Sequence, residues 1–147
     1  MLEARLLRSD LETRAGALRE VARTCVATVD PAPRYAVPDV EALGPVPNTP
    51  EAIGPYLDRL GRVGQALTMA QQAYTAALAE HTDLLGLLDS YVAKARALGL
   101  AAGDDLAASE VRAREVLARQ PAPMVVCRQL VTTYQTWLNS LATKDHT

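Results

Sequence analysis

The chain has 147 residues, 49% hydrophobic and 22% charged, the balance of one ordinary globular domain and not of a disordered segment. Its formal charge of −2 leaves no basic excess to neutralise a phosphate backbone, which argues against nucleic-acid binding. Ala and Leu dominate, Phe is absent and Ile53 is the single isoleucine, so strand material is scarce and the predicted class is all-α.

Residues 2–29 predict a first amphipathic helix. Leu7, Leu11, Leu18, Val21 and Cys25 recur on one a/d face, widened by Ala15, Ala22 and Val29, while Arg14 and Thr28 interrupt two d positions. Its Arg residues alternate with Glu3, Asp10, Glu12 and Glu20, the pattern of a solvated face laced with intrahelical pairs. The opening Met1-Leu2-Glu3-Ala4-Arg5 lacks the uninterrupted apolar stretch of a secretory signal, so a cytoplasmic location is expected. No run approaches the ~18 apolar residues that span a membrane, and no membrane contact is expected.

Residues 30–50 hold six of the nine prolines and read as an extended linker, a density that argues against both helix and sheet. Tyr35, Val37, Val40, Leu43 and Val46 are apolar enough for this strap to pack along helices. A long central helix follows over 51–98, beginning either with Thr49 as cap and Pro50 as first residue or afresh at Gly54-Pro55, and ending at Gly99. From Leu57 to Ala95 it carries an a/d pattern over about six heptads, with Tyr56, Val63, Ala70, Ala77, Leu84 and Tyr91 widening the stripe enough to touch two neighbours. Gly61 and Gly64 imply close approach by a neighbouring backbone.

After a turn at 99–103, Asp104 and Asp105 supply acidic chemistry at the start of a return helix, 104–142. Leu106, Ala113, Leu117, Met124, Cys127, Val131, Tyr134, Leu138 and Leu141 keep one heptad phase, widened by Val116, Leu130 and Trp137. The phase runs straight through Pro121-Ala122-Pro123, where a kink or short break is expected at 120–123, with the same face aimed at the core on both sides. Residues from Lys144 onward are expected to fray. The whole reads as a single helical domain, 1–147: an elongated antiparallel three-helix coiled-coil bundle with a Pro-rich connecting strap.

Little in this sequence carries chemistry. Cys25 and Cys127 have no metal or redox spacing and read as small buried hydrophobes. His81 sits at a d position without a second His or a Cys/His cluster, so it reads as a hydrogen-bonded histidine and not a metal ligand. Gln71, at an a position, has the character of a polar core residue that fixes register, and with Tyr74 and His81 it could alternatively line a small-ligand pocket. Trp137, towards the end of the return helix, is the best candidate for an interface anchor. No nucleophile elbow, phosphate loop or dinucleotide fingerprint occurs, so neither an enzyme nor a bound cofactor or metal is expected.

The stretch Leu84-Leu85-Gly86-Leu87-Leu88-Asp89-Ser90-Tyr91-Val92-Ala93-Lys94-Ala95, with Gly99-Leu100, residues 106–120 and Tyr134-Gln135, resembles the helical coiled-coil region of actinobacterial protein-kinase-G-activating proteins. The resemblance covers the second half of the chain and contains no catalytic motif. It implies a regulatory adaptor linking amino-acid sensing to a kinase; the membrane spans of that family's full-length members have no counterpart in these residues. The functional expectation is a non-catalytic helical protein–protein interaction or regulatory module, binding another protein or itself as a homodimer. The alternatives are a ligand-sensing bundle and a homo-oligomeric structural protein.

Overall fold

A computed structural model describes residues 1–145 and is all-α, with two strands of two residues each. Helix α1 spans Leu2–Thr28, β1 Val29–Asp30, α2 Pro50–Ala97, α3 Asp104–Leu117, β2 Ala122–Pro123 and α4 Met124–Asp145. Lys144 therefore lies within α4, while residues 146–147 of the expected frayed tail fall outside the described residues. The expected single domain is organised as two compact units. The first comprises Met1–Cys25 with Pro33–Ala76, and the second Val26–Ala32 with the chain from Ala77 onward.

In the first unit, Ala4, Leu11, Ala15 and Leu18 of α1 are buried with Tyr56, Leu60, Leu67, Ala70 and Tyr74 of α2. Full burial of each large side chain stabilises by about 1.5–3 kcal/mol relative to exposure. α2 starts at Pro50, whose missing N–H costs nothing in the first turn, and Pro55 is carried inside the helix instead of starting a new one. Val40 of the strap is buried, and side-chain hydrogen bonds tie the strap to these helices at Tyr35 and at Gly44. The buried Tyr74 hydroxyl accepts the Tyr35 N–H at 3.0 Å and donates to the Tyr35 carbonyl at 2.9 Å, with the two rings edge to face. Further along the strap, the Gly44 carbonyl accepts from the Arg8 guanidinium, which also donates to the Tyr56 hydroxyl at 2.9 Å.

The strap is not wholly extended. A 3-10 turn at Val40–Leu43 fits between Pro38 and Pro45, started by the Asp39 carboxylate accepting the Glu41 N–H at 3.0 Å and ended by Gly44 at φ +76°. Prolines exclude long elements, but a single turn fits between them. Gly64 approaches side chains of α1, Leu11 and Arg14, and not a backbone; nothing lies near the Cβ direction of Gly61.

In the second unit, α2 ends in a Schellman motif: the Leu100 N–H donates to Ala95 O and the Gly99 N–H to Arg96 O, with Gly99 at φ +70°. Gly103, not an aspartate, occupies the cap of α3, and Asp104 and Asp105 lie in its first turn. α3 runs antiparallel to α2, since Asp89 meets Arg114 at 2.8 Å while His81, two turns earlier, meets Leu117.

The expected kinked return helix is instead two helices of opposite direction. His81 and its neighbour Glu80 reach Leu117 and Arg128 respectively. Eleven residues of one continuous helix would hold those partners roughly 16 Å apart, so the chain has turned back. Residues 118–123 make the reversal, and α4 returns along α3, with buried Tyr134 in the field of Glu110. Inside that reversal Ala122–Pro123 pairs in parallel with Val29–Asp30, placing two short strands in a chain expected to have none.

The heptad positions from Leu106 to Leu138 are buried even so, with Val116 beside them, whereas the widening positions Leu130 and Trp137 are half-buried and exposed. A loop of six residues between Leu117 and Met124 keeps the spacing at seven, so the heptad phase survives a reversal that periodicity cannot see.

Candidate functional site

Residues Gln71, His81 and Trp137 do not converge on one site. Gln71 is exposed, which corrects its assignment as a polar core residue. On α2 the buried positions of the first unit are Tyr56, Leu60, Leu67, Ala70 and Tyr74, the g/d edge of the predicted pattern; in the second they are Leu84, still at a g position, and then Leu88, Val92 and Ala95 in the a/d columns. A helix of 3.6 residues per turn slips ~20° per heptad against a 3.5 repeat, so the buried face moves by a column over its length and leaves the early a positions outside.

His81 is half-buried, and its Nε2 lies 2.8 Å from the Leu117 carbonyl. Because a carbonyl only accepts, Nε2 carries the proton and donates. Leu117 is the last residue of α3, so the imidazole satisfies one of the carbonyls that a helix end leaves without an intrahelical partner. A cavity of about 290 Å³ adjoins it, lined by Leu85, Arg114 and Gln120 among others, but by neither Gln71 nor Tyr74. Arg114 is engaged by Glu110 at 2.9 Å and by Asp89, and these bonds raise its pKa and fix it as a structural cation.

Trp137 is 42% exposed, on a face of α4 that it shares with Thr132, Thr133, Thr136 and Ser140. From Gln129 to Thr143 the helix has no charged residue, although much of that length is exposed. Val126 and Leu130 continue the same stripe towards the start of α4, spaced four and three residues like a seam that lacks a partner. This face was visible in the sequence only as Trp137; its neutrality becomes meaningful once the structure shows those residues outside the core.

Cys25 and Cys127 are both buried and both free. Among the described residues no group of three His, Cys, Asp or Glu side chains could hold a metal, and no helix is long and apolar enough to cross a membrane. No family model, curated protein or solved structure matches the chain.

Proposed function

We propose that this protein is a non-catalytic helical module that binds another protein through the outward face of α4, with Trp137 as its anchor. The observation that carries the reading is a large aromatic side chain, 42% exposed, on an uncharged helix face. Interface cores are depleted in charge and enriched in Trp, and hot spots concentrate on such residues. The resemblance of the second half to kinase-activating proteins supplies a setting, a regulatory adaptor in a kinase pathway. Two free thiols suit a cytoplasmic setting.

Affinity capture from the native cell, comparing the unaltered chain with Trp137→Glu and Thr133→Glu, tests this. Both positions are exposed, so helicity and melting temperature should hold while partners are lost. Capture of the same proteins by Trp137→Glu would remove the α4 face from consideration. A small-ligand sensor is the second reading, favoured by the cavity beside His81. It requires a metabolite that raises the melting temperature of the unaltered chain and not that of Leu85→Trp, which fills the cavity.

A further inference from the structure

The cavity beside His81 lies wholly within the second unit, at the end of α3. Leu85, Leu117 and Ala118 give it apolar surface, while Arg114, Arg119 and Gln120 give it hydrogen-bond donors. Among the described residues no Asp or Glu lines it. At about 290 Å³ it stands at the small end of ligand pockets, which run from ~300 to ~1,000 Å³.

The charges at this end of the unit leave one cation over. Arg114 is offset by Glu110 and Asp89, and Arg128, in the first turns of α4, by Glu80. Arg119 is exposed and makes neither an ion pair nor a side-chain hydrogen bond with any described residue. Closing α3 does not use its guanidinium either. The Leu117 carbonyl is held by His81, and the Arg114 and Val116 carbonyls accept from the backbone N–H groups of Ala118 and Arg119. His81 has spent its Nε2 proton on Leu117, so the neutral ring adds no second donor. The Arg119 charge also reaches inward, for it opposes the desolvation that raises the thiol of buried Cys127.

We infer that this cavity binds a small monocarboxylate with an apolar body, whose carboxylate accepts from the Arg119 guanidinium and the Gln120 amide. The inference rests on the reading of this cavity as a ligand site and names the class of ligand. A guanidinium presents a planar fork that matches the two oxygens of a carboxylate. One uncompensated cation neutralises one negative charge, so a phosphate dianion would leave a charge in excess. A zwitterionic amino acid fits no better: its ammonium would lose water and meet no counter-charge. Burial of the apolar body against Leu85 and Leu117 favours a branched aliphatic acid over acetate.

Titrations with isocaproate, followed by amide chemical shifts and calorimetry, test the inference. Three controls separate its parts: isocaproamide lacks the charge, leucine adds an ammonium to the same skeleton, and inorganic phosphate lacks the apolar body. Isocaproate should shift the amides of residues 117–120 and bind about tenfold or more tightly than each control. Arg119→Gln, at an exposed position, should keep the helicity and melting temperature of the unaltered chain. It should weaken isocaproate about tenfold or more and leave isocaproamide unchanged, and Arg119→Lys should restore part of the loss.

Isocaproate and isocaproamide binding equally, both lost in Leu85→Trp and both indifferent to Arg119→Gln, would keep the cavity as a ligand site and overturn the anion. Isocaproate binding that persists in Leu85→Trp would put the carboxylate on the surface guanidinium, outside the cavity, and overturn it too. Phosphate or leucine binding as tightly as isocaproate has the same consequence. If none of the four probes shifts any amide, the inference falls, and the sensor reading then stands only on a metabolite of another class that raises the melting temperature through this cavity.

Discussion

The Tyr74 hydroxyl holds both backbone polar groups of Tyr35, and so fastens the Pro-rich strap to α2. Tyr74→Phe keeps the ring and its edge-to-face contact but removes both bonds. Because Tyr35 is 48% exposed, water can replace part of what is lost, and the cost should be about 1–2 kcal/mol in a urea titration. Amide exchange at Tyr35 should accelerate well before that of the α2 core; unchanged exchange there would mean that the strap is held without Tyr74. The cysteines allow a chemical test of burial. Desolvation pushes both thiols up, with nearby arginines opposing it at Cys127. Alkylation near neutral pH should therefore be slow in the folded chain and fast in denaturant. A thiol whose folded pKa is raised contributes stability fully below the ordinary thiol range, and that contribution is lost as pH rises through it, because the unfolded chain ionises first. Stability should accordingly fall on the alkaline side of that range, and less so in Cys25→Ala.

At the level of elements, two glycines of the second unit make opposite demands. Gly99 closes α2 at φ +70°, a conformation that costs an L side chain roughly 1–2 kcal/mol. Gly86 lies inside the same helix, and a methyl group added to it would meet nothing within 4 Å. Gly99→Ala should destabilise by about 1 kcal/mol, and Gly86→Ala should stabilise by up to about 1 kcal/mol through helix propensity; thermal melts of the pair decide the sign. The end at Gly99 was readable because cap chemistry is local, whereas two starts, at Pro50 and at Gly54-Pro55, fitted the sequence equally and the helix takes the first. The reversal at 118–123 was not, since a seven-residue interval between Leu117 and Met124 is the same in a kinked helix as in a hairpin. The pairing of Val29–Asp30 with Ala122–Pro123 was also out of reach, for two residues carry no period. Gln71 was misplaced for a different reason: a strict 3.5 repeat was projected along a helix that turns every 3.6 residues.

Across the molecule, the core is divided in the same place as the chain contacts. Between Tyr74 and Leu84, α2 has no fully buried residue; Ala77, Leu78 and His81 are only half-buried. On one side Leu60 and Leu67 belong to the first unit, and on the other Leu88 and Val92 to the second. Each set is closed by its own polar fastenings, Tyr74 and Arg8 on the strap in one, His81 and Arg114 on α3 in the other. Native proteins open in cooperative units whose limits follow such divisions of buried contact. Leu60→Ala and Leu88→Ala each remove a fully buried side chain and should cost about 2–5 kcal/mol by lost burial plus the cavity left behind. Their effects should differ in place. In hydrogen exchange Leu60→Ala should release amides of α1 and of α2 before Ala76, leaving α3 and α4 protected, and Leu88→Ala should release α3, α4 and the later part of α2. If either substitution lowered protection evenly along all four helices, the two cores would behave as one cooperative unit, and the half-buried stretch from Tyr74 to Leu84 would be no boundary at all.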